Sequence, residues 1–146
     1  MKVYLDLCAI QRPLDTPDQI RIALEAEAVL GLVDLIRNDQ IDLLSSEVLI
    51  YEGQQSPLPI RKEHTLAVLR LAKTTLRLSE RDKTRAAEII TTGIKPLDAL
   101  HLAIAESGKA EYFCTCDDKL LQFVKRSKDL SVKVINPVEL IREIEK

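Results

Sequence analysis

The chain has 146 residues, 46% of them hydrophobic and 30% charged, with 21 basic side chains against 23 acidic ones. That length suits one compact domain. The apolar share excludes disorder as the main state, and a net charge of −2 excludes a bulk basic nucleic-acid binder.

Three Tyr, two Phe and no Trp are too few for an aromatic platform along single-stranded nucleic acid. Three Cys without a C-x-x-C pair point to a reducing, cytoplasmic setting rather than a disulfide framework. The opening MKVYLDLCAI is broken by Asp6 and reads as no signal peptide. No apolar run approaches the roughly 18 residues of a membrane span.

Residues 2–6 read as a buried strand ending at Asp6, and 11–17, with two Pro, as a loop. Asp18 is placed to cap a long amphipathic helix over 19–36, because Ile22, Ala26, Val29, Val33 and Ile36 recur at helical spacing. A turn at 38–40 leads to a strand over 41–44. Ser45 or Ser46 then caps a helix bearing Val48, Leu49 and Glu52, and Gly53 to Pro59 breaks the chain. Residues 60–73 read as helical, and Leu76 with Leu78 as a short extended piece. Ser79 begins a helix to about Thr92, with Gly93 at its C′ position. Pro96 opens PLDALHLAIAES, which runs to Gly108. A strand over 111–116, a helix from Asp117 to Arg126, a strand over 132–135 and a helix opened by Pro137 complete the chain. There is no internal repeat. Strands alternating with helices predict an α/β fold: a parallel sheet covered by helices on both faces.

In such a sheet, ligands bind beyond the carboxyl ends of the strands. Asp6 ends the first strand, Glu52 lies on the helix after the second, Asp98 lies in the first turn of the Pro96 helix, and Asp117 follows the EYFCTC strand. Each alone has an ordinary explanation: a turn residue, a solvated helix acid, a dipole-favoured acid and a cap. Together they would repel unless protonated or bridged by a cation. Mg²⁺ or Mn²⁺, which take carboxylate oxygens and keep water, suit such a cluster. A bound cation would lower the pKa of a water and stabilise phosphoryl charge, so no Ser, Cys or His nucleophile is needed. Glu47, just after the serines, reads as a first-turn acid outside the cluster. His101 could share a helix face with Asp98, while His64 has no partner in sequence. The spacing of Cys8, Cys114 and Cys116 does not suit zinc. There is no P-loop and no dinucleotide fingerprint. A phosphatase-like aspartyl site would need Asp where Cys8 stands.

The segments VYLDLCAI, SSEVLIYE, PLDALHLAIAE and FCTCDDKLL occur in an order that resembles PIN-domain proteins, over nearly the whole chain. DALHLAIA together with T-x-D-x-x-L is the most specific part, and the length is similar to that of VapC-type toxins. The resemblance implies a single domain over 1–146, a three-layer α/β/α fold with a mostly parallel central sheet. It also implies a Mg²⁺- or Mn²⁺-dependent ribonuclease of the kind found in toxin–antitoxin pairs. Its catalytic acids fall on Asp6, Glu52, Asp98 and Asp117, with Asp6, Asp98 and Asp117 on the metal and Thr115 in support. Homodimers, RNA and a cognate antitoxin are the implied partners. Many members carry Thr or Ser, then Asn, after the first Asp. Leu7 and Cys8 stand there in this chain, so a hydroxyl that would orient the carboxylate is missing. That departure leaves an inactive PIN-like binding module as the alternative reading. Arg12, Arg61, Lys62, Lys119 and Lys125 are the local basic residues available for RNA.

Overall fold

The computed structural model describes residues 1–126 and 129–146. Its elements are β1 (Lys2–Leu5), α1 (Leu7–Gln11), a short 3-10 turn (Arg12–Leu14), α2 (Ile20–Arg37), β2 (Asp42–Ser46), α3 (Glu47–Gln54), α4 (Pro59–Leu69) and β3 (Thr74–Leu76). Then come α5 (Glu80–Ile90), α6 (Pro96–Ser107), β4 (Tyr112–Cys114), α7 (Asp118–Arg126), β5 (Lys133–Ile135) and α8 (Pro137–Glu145). All strand pairings are parallel, in the order β3-β2-β1-β4-β5. Helices cover both faces, giving the three-layer α/β/α arrangement expected from the alternating pattern.

β1 and β4 form the middle of the sheet. Val3, Tyr4, Leu5, Phe113 and Cys114 are fully buried, as strands covered on both faces require. The Tyr4 and Phe113 rings stack across this pair, with centroids 5.3 Å apart. The chain winds outward from β1 through β2 to β3, then returns to place β4 on the other side of β1. The order therefore reverses between β1 and β4, and the crevice beyond their carboxyl ends is the switch point at which such sheets bind ligands. The register pairs Leu5 with Cys114, which puts Asp6 beside Thr115 at the mouth of that crevice.

Several boundaries differ from the sequence reading for identifiable reasons. Asp6 ends the strand by capping a helix: its side chain accepts from the Ala9 N–H at 3.0 Å, so α1 begins where no element was expected. Asp18 does not cap α2; the N-cap is Gln19, without a side-chain bond. Ser46, not Ser45, caps α3, accepting from the Leu49 N–H. α3 runs through Gly53 to Gln54, because this glycine is a close-packing residue rather than a break. A Cβ at Gly53 would lie 2.9 Å from Thr65 Cγ2 on α4. Gly93 does take a positive φ of 100°, but two residues beyond the Thr91 C-cap, one later than expected.

Candidate functional site

Four carboxylates reach one cavity of about 270 Å³ at the carboxyl end of the sheet, lined by Asp6, Leu7, Cys8, Gln11, Glu52, Asp98, His101 and Asp117. β1 delivers Asp6. The Ser46 cap starts α3, which carries Glu52 six residues later. Pro96 starts α6 and places Asp98 in its first turn. Thr115 turns the chain after β4: its hydroxyl accepts from the Asp117 N–H at 3.0 Å. Asp117 in turn accepts from the N–H groups of Lys119 and Leu120 as α7 begins. Glu47 lies outside the cavity, exposed and 3.9 Å from Arg77.

Asp6 is 7% exposed. Burial, with Cys8 beside it, pushes its carboxyl well above the usual range, while the Thr115 hydroxyl and the Ala9 N–H oppose that shift. Asp98 is also raised, first by burial and second by the charge of Asp117; Glu52 adds in the same direction. The acids therefore sense one another across the cavity, as like charges in a confined space must.

Glu52 is held by a buried chain of side chains that the sequence did not indicate. Its Oε1 accepts from His101 Nε2. His101 Nδ1 lies 2.6 Å from the Tyr4 hydroxyl, which lies 2.8 Å from Ser46 Oγ. Burial keeps the Tyr4 phenol far above its usual range, so it holds its proton. An ionised carboxylate only accepts, so Nε2 carries the ring proton and Nδ1 accepts from Tyr4; Ser46 then donates to the Tyr4 oxygen. The signal available in sequence was the spacing of Asp98 and His101. It put both on one helix face, but the partner of His101 is Glu52, 49 residues away.

The PIN domain sequence pattern matches residues 10–126. The chain belongs to the PIN domain family. Members of this family are nucleases. No curated protein matches the chain. Among solved structures, FitAcB from Neisseria gonorrhoeae is similar at a TM-score of 0.59 and 18% identity, over 92% of this chain and 97% of that one. VapBC2 from Rickettsia felis, solved with a DNA fragment from the promoter, is similar at 0.58 and 17%, over 93% and 98%. The Mycobacterium tuberculosis toxin VapC20, described as cleaving the sarcin-ricin loop, is similar at 0.55 and 11%, over 86% and 95%. At these identities the likeness is one of fold.

Within the PIN frame, the departure at Leu7-Cys8 has a structural answer. The Cys8 thiol donates to Asp6 Oδ1 at 3.0 Å and lies 3.5 Å from Thr115 Oγ1. The neighbouring Cys116 and burial push the thiol above its usual range, so it keeps its proton. The missing hydroxyl is thus replaced, one residue later, by a thiol. All three cysteines are free.

The donor set suits a hard cation, being all carboxylate oxygen. Among the described residues, no three His, Cys, Asp or Glu side chains stand close enough together to hold a metal ion as they are placed. An open site that keeps several waters, which is the habit of Mg²⁺, suits such separated carboxylates better than a closed cage. No helix is long and apolar enough, among the described residues, to cross a membrane.

Two of the five basic residues expected to meet RNA are committed elsewhere. Arg12 donates to the buried Glu25 at 2.9 and 2.6 Å and to Asp15 at 3.0 Å. Arg61 donates to Asp15 at 2.8 Å and to the Leu14 carbonyl. Both tie the loop after α1 to the body of the protein. Lys62, Lys119 and Lys125 remain on the surface. His64, without a partner in sequence, lies with Nε2 2.8 Å from the Ile10 carbonyl.

Proposed function

We propose that this chain is a divalent-metal-dependent endoribonuclease and the toxin of a toxin–antitoxin pair, working in the cytoplasm as one domain over 1–146. The observation that carries this reading is the convergence of Asp6, Glu52, Asp98 and Asp117 on one cavity at the switch point of a PIN-type sheet. Likeness to VapC20, a loop-cleaving toxin, supports RNA as the substrate and the toxin role. A cognate antitoxin and a homodimer belong to the same reading.

Asp6, Asp98 and Asp117 would hold Mg²⁺ or Mn²⁺, with the Cys8 thiol donating to the Asp6 carboxyl group and the Thr115 hydroxyl accepting from the Asp117 backbone N–H. The bound cation would supply an acidified water and stabilise negative charge on the phosphoryl oxygens. Glu52 has Oε1 occupied by His101, which leaves Oε2 to accept a proton from the attacking water. The low exposure of Asp6 keeps bulk water from screening these charges.

The test is cleavage of a labelled RNA with Mn²⁺. Asp6→Asn, Asp98→Asn and Asp117→Asn should each abolish cleavage while the protein stays folded, and Glu47→Gln should cleave like the parent. Equal cleavage by all three Asn variants would remove the site. A large loss in Glu47→Gln would show that the second acid was misassigned.

A further inference from the structure

A larger cavity, of about 480 Å³, opens directly beside the acid site. Asp98 and Asp117 line both, so the two spaces are continuous. One wall is the loop Gly93–Lys95 before α6. The other is a face of α7: Lys119, Gln122, Phe123 and Arg126 fall at i, i+3, i+4 and i+7 and therefore share one side of the helix. That face runs about 10 Å away from Asp117 at 1.5 Å per residue.

Three features make this wall chemically specific. Among the described residues, Lys95, Lys119 and Arg126 form no ion pair. Arg12, Arg21, Arg61 and Arg85, by contrast, are all bound to carboxylates. The exposed cations near the acids are thus gathered on one side of them. The second feature is Phe123, 37% exposed, while Phe113 and Tyr4 are fully buried. The third is Gly93, whose left-handed φ of 100° holds a backbone without a side chain against the edge of the Phe123 ring. A Cβ there would lie 3.3 Å from Phe123 Cε1, so the missing side chain leaves the ring its room in the groove. A lone ring flanked by unpaired cations is complementary to one base between phosphates. A protein segment would need a wider apolar surface than one ring supplies.

We infer that this groove binds single-stranded RNA as it leaves the acid cavity, with one base stacked on Phe123 and phosphates met by Lys95, Lys119 and Arg126. The inference rests on the ribonuclease reading for its substrate class. It also replaces the expected contribution of Arg12 and Arg61, and it needs only one ring rather than an aromatic platform.

The experiment is fluorescence anisotropy of the full chain with a labelled ten-nucleotide single-stranded RNA in chelator, where no cleavage occurs. Phe123→Leu keeps apolar bulk but has no π face, and should bind about tenfold more weakly; Phe123→Tyr should bind within twofold of the parent. Lys119→Ala and Arg126→Ala should each lower the slope of log K against log salt by about 0.7. Thermal melts of the same variants show that each is folded. Should Phe123→Leu fail to fold, the salt slopes of the two cation variants still decide.

Parent-like binding by Phe123→Leu overturns the proposal, as does an unchanged salt slope in both cation variants. If RNA binding is unaffected but the variants lose a protein partner, the groove belongs to that partner and the RNA assignment falls. Cleavage of the same RNA with Mn²⁺ separates this from the broader reading. A parent that binds through the groove but never cleaves keeps the groove and loses the nuclease. A parent that cleaves, with binding indifferent to Phe123, does the reverse.

Discussion

Removing one oxygen atom, by Tyr4→Phe, tests whether the interior of the sheet holds Glu52, the proposed proton acceptor, in place. The Tyr4 hydroxyl is fully buried and sits between Ser46 Oγ at 2.8 Å and His101 Nδ1 at 2.6 Å. Its loss leaves Nδ1 without a donor in a site that is 3% exposed, and leaving a buried acceptor unsatisfied costs about 1–3 kcal/mol. Ser46 is less affected, because its oxygen still accepts from the Leu49 N–H and α3 stays capped. A net loss of about 2 kcal/mol follows, which for a chain of this size lowers Tm by roughly 6 °C. A second consequence reaches the cavity. With Nδ1 no longer tied to Tyr4, the imidazole loses one of the two bonds that fix its ring orientation, and its hold on Glu52 loosens. Loss of such an orienting partner typically costs about 10- to 100-fold in activity. Thermal melts in chelator read the first effect, and Mn²⁺-dependent cleavage of RNA by the folded variant reads the second. A Tm within a degree of the parent, with unchanged cleavage, would refute the chain from Ser46 to Glu52.

Asp98→Asn should raise Tm in chelator at pH 7–8, since burial and Asp117 hold the Asp98 carboxyl above its ordinary value. A raised folded value means that the native state binds the proton more tightly than the unfolded chain, so this group's stability is greatest in acid and is lost as pH rises through the folded value. The gain from the variant should therefore shrink as pH falls toward 4; a Tm loss at neutral pH would mean that Asp98 serves only the helix dipole. Cys8→Ala should weaken Mn²⁺ binding several-fold with little change in Tm, and Cys8→Ser should restore it, because a hydroxyl also donates to Asp6 Oδ1; equal affinities across the three would dismiss the thiol. Arg12→Ala strips the buried Glu25 of its main partner and should cost about 3 kcal/mol, or roughly 10 °C, while RNA affinity at a temperature where it is folded stays near the parent's. A fall in RNA affinity without a fall in Tm would return Arg12 to the substrate side.

The fold was legible because its signals are local. Helical spacing from Ile22 to Ile36, Pro at the starts of α6 and α8, and short apolar strands between them are enough to predict an alternating α/β chain. The order of the acids was legible because each lies just after a strand or at a helix start, where the topology of a parallel sheet must bring them to one end. Local signals also misled. Gly53 reads as a break, yet it allows α3 to pass against Thr65 on α4, a fact that belongs to a contact twelve residues away. Arg12 and Arg61 read as solvated cations because their partners, Glu25 and Asp15, are fixed only by the fold. Glu25 itself was invisible: an acid on an amphipathic helix gives no sign that two arginines and Asn136 will surround it at 1% exposure.

The same distinction explains the Tyr4–His101–Glu52 chain and the choice of Cys at position 8. The acids need only be near the crevice to be found, but they must be oriented to act, and orientation depends on side chains from other strands and helices. Tyr4 comes from β1, Ser46 from β2, His101 from α6 and Glu52 from α3, so four separate elements must dock before Glu52 is fixed. Tyr4 is a β-prone aromatic in the middle of a buried strand, and in sequence nothing separates it from an ordinary core residue. Its hydroxyl is what makes the difference, because a buried donor must find an acceptor, and the nearest one, His101, leads to Glu52. Asp6 follows the same logic on the other wall: burial makes its charge costly, and the Ala9 N–H, the Thr115 hydroxyl and the Cys8 thiol hold it in one geometry. A site built in this way loses orientation before it loses its fold. For that reason Cys8→Ala, which removes one donor and no packing of consequence, should leave the melting curve almost where it was and shift the Mn²⁺ titration.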